Sequence, residues 1–158
     1  MKSRGLVIGY GNPLRGDDGL GWEVAGRLAA SVADKSVAIM AVHQLTPELA
    51  EPVSEAETVI FVDASYEGEP GTWRCDEVTP ASATASPLGH HFDISGLLAY
   101  ARAVFQASPR AFVVSVAAES FECHDDLSPT VKAALPQIVR LIRDKMGCLN
   151  PAPEVTYA

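Results

Sequence analysis

Short apolar segments rich in β-branched residues alternate with stretches of helical periodicity along most of this chain. The strand-like segments are residues 5–10, 37–42, 58–63 and 111–116. Between them, apolar residues repeat at helical spacing, as Leu20, Val24 and Leu28 do. Strands that are apolar on both faces are typical of a mostly parallel sheet covered by helices on both sides. The sequence therefore predicts an α/β fold, a three-layer α/β/α sandwich with a mostly parallel, twisted central sheet.

One segment departs from this alternation. Residues 66–78 contain Gly68, Pro70 and Gly71 before a short strand-like stretch, and we interpret them as a turn and a strand that can run antiparallel. Further helices are predicted over 46–54, over 93–106 and from Ser128 onward.

The size of the chain limits it to one domain. Its 158 residues, 47% hydrophobic and 20% charged, are enough for one compact core and too few for two domains of usual size. We place this single domain at residues 1–149. Residues 150–158 carry two prolines and no periodicity, so we expect a frayed tail there.

Charge and composition exclude several classes of protein. The formal net charge of −8 would repel phosphate backbones, so we expect no nucleic-acid partner. No apolar stretch approaches the roughly 18 residues that span a bilayer, and the first residues lack a signal-peptide core, so we expect a cytoplasmic protein with no membrane partner. Cys75, Cys123 and Cys148 are spaced too widely for a disulfide framework or a zinc motif, which favours reduced thiols.

A glycine-rich loop with two adjacent acids follows the first predicted strand, and residues 9–21 read GYGNPLRGDDGLG. A dinucleotide fingerprint would need glycine where Leu14 stands, and a P-loop would need Lys after Gly16. Asp17 and Asp18 would also repel a phosphate at the start of the next helix. The loop is therefore not built for an anion.

Other polar residues are expected at the same edge of the sheet. Asp63 ends the third apolar segment, and parallel strands bring their carboxyl ends to one rim, so Asp18 and Asp63 can lie close together. Two adjacent carboxylates share either a proton or a cation. His90 and His91 precede a predicted helix and could reach this rim. Two carboxylates and one imidazole are a credible set of ligands for a divalent transition metal.

Each of these residues also has a structural explanation. Asp17 and Asp18 are good helix caps, and Asp63 could cap the turn after its strand. Residues 119–126 form an acidic loop that we interpret as solvated surface. The sequence contains neither a Gly-x-Ser-x-Gly elbow nor a His-Glu-x-x-His motif, which disfavours a serine hydrolase of that type and a self-contained zinc protease.

The loop at residues 9–21, placed at the end of a first strand, resembles that of the [NiFe]-hydrogenase maturation endopeptidases. Residues 43–49 (HQLTPEL), 59–64 (VIFVDA) and 119–129 are similar to further segments of this family, in the same order. The resemblance covers nearly the whole chain. It implies a mixed sheet between helices.

The resemblance also implies a metal site. In that family a Glu or Asp, a further Asp and a His bind a metal, which here implies Asp18, Asp63 and either His90 or His91. We prefer His90, because the residues from Phe92 to Leu98 follow the family's pattern after its histidine. The same three residues are implied to be catalytic. Which group activates the water is left open, since a carboxylate could be the general base or the metal could lower the pKa of the water.

The implied activity is removal of a short C-terminal extension from the large subunit of a [NiFe] hydrogenase once nickel is inserted. The substrate would supply the nickel, no organic cofactor is expected, the partner would be the large-subunit precursor, and we expect a monomer. Contacts to substrate are expected from Gly11, Asn12, Asp17 and Gln44. The alternatives are a non-proteolytic nickel-dependent binding partner or chaperone, and a small α/β hydrolase with its own metal.

Overall fold

The computed structural model describes residues 3–80, 93–122 and 126–147. Its sheet has the strands β1 (Ser3–Tyr10), β2 (Val37–Val42), β3 (Ala56–Ser65), β4 (Trp73–Val78) and β5 (Arg110–Ala117), in the order β2-β1-β3-β5-β4. The pairs β1–β2, β1–β3 and β3–β5 are parallel, and β4 is antiparallel to β5. The mostly parallel sheet and the reversed strand within 66–78 are confirmed.

Helices cover both faces of this sheet. They are α1 (Leu20–Ser31), α2 (Ala50–Ser54), α3 (Ile94–Phe105) and α4 (Pro129–Lys145), with short 3₁₀ helices at Gly16–Gly19 and Pro47–Leu49. On one face, α1 and α4 pack on the strand residues Val7, Ile60, Val62, Phe112, Val114 and Val116. On the other face, α2 and α3 pack on Leu6, Ile8, Val59, Phe61 and Ala111. Each Val, Leu, Ile or Phe side chain among these stabilises the fold by about 1.5–3 kcal/mol when it is fully buried. The three-layer sandwich is confirmed.

The ends of the last two long helices follow capping rules. The side chain of Asp93 accepts a hydrogen bond from the N–H of Gly96 at 2.7 Å and so begins α3. Helix α4 begins after Ser128 with Pro129 in its first turn, as the sequence predicts.

A close contact between β1 and α1 sets the position of the glycine-rich loop. A Cβ atom on Gly9 would overlap the carbonyl oxygen of Gly21, so only glycine lets the start of α1 lie this close to the end of β1. The chain between them is therefore folded back over the carboxyl edge of the sheet. Strands β2 and β3 pair with β1 on its two opposite sides. The strand order thus reverses at β1, and open α/β sheets bind ligands at such a reversal.

Within the described residues, none of the helices combines the length and the apolar character needed to cross a bilayer. The predicted domain boundary after residue 149 lies outside the described residues.

Candidate active site

A cleft of about 700 Å³ opens at the carboxyl edge of the sheet, above the ends of β1 and β3. Its walls come from the loop after β1, from the segment after β2, from β3 and from the residue that caps α3. The lining residues are Tyr10, Gly11, Arg15, Asp18, His43, Gln44, Leu45, Thr46, Pro47, Asp63 and Asp93. Asp18, Asp63, Gly11 and Gln44, four of the residues selected from the sequence, thus meet in one cavity.

Asp18 is held by the backbone of the glycine-rich loop. Its carboxylate accepts a hydrogen bond from the N–H of Asn12 at 2.7 Å. Gly11 has φ = 140°, which other residues rarely adopt, and a Cβ atom there would overlap the carbonyl oxygen of Asp18. The loop therefore closes tightly around Asp18 and fixes its orientation toward the cleft. The side chain of Asn12 is used within the loop, where its Oδ1 accepts from the N–H of Leu14 at 2.9 Å.

Asp63 lies in β3, two residues before the strand ends, and it is largely buried. Burial raises the pKa of its carboxyl group, and the negative charge of Asp18 raises it further. Hydrogen bonds from the Tyr10 hydroxyl and the Ala64 N–H act in the opposite direction, and the resulting pKa is about 6. An ionised Asp63 is therefore costly in this cleft unless a cation is nearby.

Tyr10 is a cleft residue that the sequence did not single out. Gly9 pairs with Val62 in the β1–β3 ladder, which puts Tyr10 beside Asp63 on the face of the sheet that α2 and α3 cover. Burial raises the pKa of Tyr10, as does the charge of Asp63, to which its hydroxyl is hydrogen-bonded. Tyr10 therefore stays a hydrogen-bond donor throughout the ordinary pH range. Because Tyr10 ends an apolar strand, the sequence pattern alone indicates a core residue at this position.

Asp17 does not face the cleft. Its side chain is 1% exposed, and it accepts hydrogen bonds from the N–H groups of Glu119 (2.8 Å), Ser120 (3.2 Å) and Ser128 (2.7 Å) and from the Ser128 hydroxyl (2.8 Å). This carboxylate ties the glycine-rich loop to the loop after β5 and to the start of α4. The sequence predicts that Asp17 contacts the substrate, but its buried position and these hydrogen bonds favour a structural role.

Trp22 of α1 aligns two walls of the cleft. Its indole N–H lies within hydrogen-bond distance of the carbonyl oxygens of Gly11 (3.0 Å) and Val42 (3.1 Å), at the ends of β1 and β2. Its ring also packs on His43, with the ring centroids 5.1 Å apart. This contact places the exposed imidazole of His43 against α1 at the edge of the cleft.

Several predicted residues lie outside the described residues: His90, His91, Cys123, Cys148, and His124 and Asp125 of the acidic loop. Among residues 3–80, 93–122 and 126–147, His, Cys, Asp and Glu side chains do not form a group of three that could hold a metal ion. The histidine ligand stays a prediction. Cys75, which is described, is a free thiol, and burial raises its pKa. The exposed Glu119 and Glu122 side chains agree with a solvated acidic loop, although its backbone also binds Asp17.

A family model described as "Hydrogenase maturation protease" matches residues 22–145, beginning directly after the glycine-rich loop. The chain belongs to the hydrogenase maturation protease family. The resemblance found in the sequence and the assignment to the peptidases are confirmed by this match.

Individual relatives agree with the family. The chain is 29% identical over 148 residues to the hydrogenase 2 maturation protease of Escherichia coli K12, covering 88% of this chain and 90% of that protein. The crystal structure of a hydrogenase 2 maturation peptidase from a Thaumarchaeota archaeon superposes with a TM-score of 0.69 at 28% identity, over 92% of this chain and 99% of that one. A [NiFe] hydrogenase maturation protease from Thermococcus kodakarensis has a TM-score of 0.75 at 23% identity, over 92% and 94% of the two chains, and shares the fold.

Proposed function

We propose that this protein removes a C-terminal extension from the large-subunit precursor of a [NiFe] hydrogenase after nickel has been inserted. Family membership supports a maturation peptidase, and the names of the relatives point to hydrogenase as the protein acted on. The observation that supports the proposal most directly is that Asp18 and Asp63 line one cleft, close enough for the charge of Asp18 to act on Asp63. We further propose that the protein acts as a monomer in the cytoplasm, with no organic cofactor.

Asp18 and Asp63 are our candidates for holding the nickel that the precursor carries. Carboxylates suit a divalent cation, and a positive charge in the cleft would offset the cost of ionising the buried Asp63. The third proposed ligand is His90, with His91 as the alternative. Asp93 follows His90 and His91 by three and two positions in the sequence and lines the cleft, which supports a histidine of this pair as the third ligand. Two carboxylates and one imidazole leave coordination positions open for groups of the precursor.

The chemical step needs an activated water beside the scissile peptide. A divalent metal held here can lower the pKa of a bound water or polarise a carbonyl group. Asp18 or Asp63 is the alternative proton acceptor, and both face the cleft. We assign Gly11 and Gln44, which also line the cleft, to contacts with the precursor. Asn12 and Asp17 contribute by holding the loop around Asp18.

The proposal is tested by measuring the mass of a purified large-subunit precursor before and after incubation with the protein. We expect loss of one C-terminal segment from precursor matured in nickel-replete cells, and no loss from precursor matured in nickel-depleted cells. Asp63→Asn should abolish the loss. Asp144→Asn, the same change on the exposed side of the last turn of α4, should leave it intact.

Two outcomes contradict the proposal. Rapid cleavage of the nickel-free precursor would exclude a requirement for nickel in the substrate and would indicate an ordinary acid protease or metalloprotease. Tight, nickel-dependent binding of the precursor without any change in its mass would favour the non-proteolytic binding partner.

A further inference from the structure

Helix α3 exposes three large apolar side chains beside the cleft. Tyr100 is 41% exposed, Val104 is 52% exposed and Phe105 is 43% exposed. Tyr100 and Val104 are four residues apart and so lie on one side of the helix, and Phe105, the last residue of α3, lines the same groove. Together with Pro47, Glu48 and Glu51, they line a groove of about 570 Å³ between α3 and the segment that leads into α2. A groove of this size accommodates a few side chains and not a folded domain.

The groove adjoins the candidate active site. Pro47 lines both cavities, and Asp93, at the start of α3, lines the cleft. Helix α3 thus runs from the cleft to the groove. At 1.5 Å per residue, Tyr100 and Phe105 lie about 10 and 18 Å along the helix from Asp93. An extended peptide covers that length in about three to five residues.

The charge of the groove selects the chemistry of its occupant. Glu48 and Glu51 are exposed on one wall, and the described residues that line the groove include neither Lys nor Arg. An apolar floor with an acidic wall complements a peptide that carries apolar side chains and a Lys or Arg. A second copy of this chain is a poor occupant, because it would bring the same acidic wall and the same net charge of −8.

We propose that this groove binds the C-terminal extension of the large-subunit precursor in extended form. The proposal rests on the function proposed above. The reacting bond would lie between Asp18 and Asp63, and the extension is the part of the precursor that continues from this bond as a short peptide with a free end. Counted from the level of Asp93, the third to fifth residues of the extension would lie between Tyr100 and Phe105. These residues would be apolar or basic, and they would lie beside Glu51.

Steady-state cleavage kinetics test this assignment on a precursor that the wild-type protein cleaves. The variants are Glu51→Lys and Val104→Ser, both on exposed positions of the groove. We expect each to raise KM about five- to tenfold with kcat within about twofold, because the groove contributes to binding and not to the chemical step. The matched controls are Glu57→Lys, exposed near the opposite end of β3, and Ala103→Ser, exposed on α3 outside the groove. Both controls should keep the wild-type KM.

A complementary exchange shows whether the contact is direct. A precursor whose basic residues at the third to fifth positions of the extension are changed to Glu should be a poor substrate for the wild type. Glu51→Lys should restore its KM, whereas Glu57→Lys should not.

The outcomes distinguish this inference from the proposed function. Cleavage with an unchanged KM in both groove variants overturns the groove assignment and leaves the function standing. A wild-type protein that cleaves no nickel-loaded precursor overturns both. A wild-type dimer in sedimentation that Val104→Ser dissociates would make the groove a self-association surface and overturn the assignment.

Discussion

The carboxylate of Asp17 accepts two hydrogen bonds from Ser128, one from its N–H at 2.7 Å and one from its hydroxyl at 2.8 Å. Ser128 is also the residue that caps α4. A single buried carboxylate therefore joins the loop after β1 to the start of the last helix, 111 residues away in sequence. The two adjacent acids therefore have different roles. Asp17 holds the loop in place, and Asp18 faces the cleft.

Removing the charge of Asp17 should destabilise the whole domain. In Asp17→Asn, the amide keeps one acceptor oxygen and replaces the other with an NH₂ group. This donor would face backbone N–H groups, which are donors themselves. We expect a loss of about 2–4 kcal/mol in the free energy of unfolding, measured by urea denaturation. Ser128→Ala should cost less, about 1–2 kcal/mol, because the N–H bond to Asp17 remains. Loss of activity at unchanged stability would instead place Asp17 at the substrate.

Asp17 should also stabilise the fold in a pH-dependent way. Burial raises the pKa of its carboxyl group, but the hydrogen bonds from Ser128, Glu119 and Ser120 outweigh burial and lower the pKa below its ordinary value. The stabilisation is therefore complete above a pH of about 4 and is lost as the pH falls through the lowered pKa. Below about pH 4, wild-type stability should fall more steeply than that of Asp17→Asn.

Asp63 should have the opposite effect on stability. Its pKa of about 6 in the folded protein lies above the ordinary value of 3.8, so the unfolded chain ionises first as the pH rises. Stability is lost between about pH 4 and 6 and stays reduced at neutral pH, by up to about 3 kcal/mol. Asp63→Asn should make the metal-free protein more stable than wild type at pH 7 by up to that amount. Near pH 4 the two should unfold alike, and parallel stability curves would contradict the assigned pKa.

Strand order explains why the sequence could locate part of the site. Asp18 follows β1 and Asp63 lies near the end of β3, and parallel strands necessarily present both at one edge of the sheet. The same reasoning could not separate Asp17 from Asp18. Both are acids at the start of a helix. What distinguishes Asp17 is its hydrogen bonds with Glu119, Ser120 and Ser128, which are distant in sequence.

Tyr10 escaped sequence analysis for a related reason. A tyrosine that ends an apolar strand fits the core pattern, and only the β1–β3 register shows that its hydroxyl meets Asp63. The groove along α3 was missed because its walls come from helices far apart in sequence. Periodicity within one helix identifies the exposed side but not its neighbour.

The two histidines can be distinguished by metal binding. Cadmium or nickel soaked into crystals should bind Asp18, Asp63 and His90. His90→Ala should therefore lose both metal binding and precursor cleavage, whereas His91→Ala should keep most of each. Equal losses in the two variants would mean that the pair acts together. Metal that settles instead on His124, Asp125 and Asp126 would defeat the assignment.

Tyr10 should act on catalysis through Asp63. Its hydroxyl donates a hydrogen bond to Asp63 from the neighbouring strand, which restrains the carboxylate and leaves its remaining oxygen positions to the cleft. Tyr10→Phe removes this bond and keeps the ring that packs on the core face of α2 and α3. We expect kcat to fall about tenfold with KM nearly unchanged, the result of losing about 1.4 kcal/mol of orientation in the reacting state only.

A matched variant separates this role from packing. Tyr66 is 79% exposed and contacts the ring of Phe121, with ring centroids 4.3 Å apart, so Tyr66→Phe deletes the same atom at a site away from Asp63. Its kcat should equal that of wild type. If Tyr10→Phe lowered thermal stability but left kcat intact, Tyr10 would be a core residue that merely lies beside the cleft. If the hydroxyl acts through the carboxylate, Tyr10→Phe should also move the pH dependence of cleavage to higher pH, because the hydrogen bond from Tyr10 lowers the pKa of Asp63. Tyr66→Phe should leave that pH dependence unchanged.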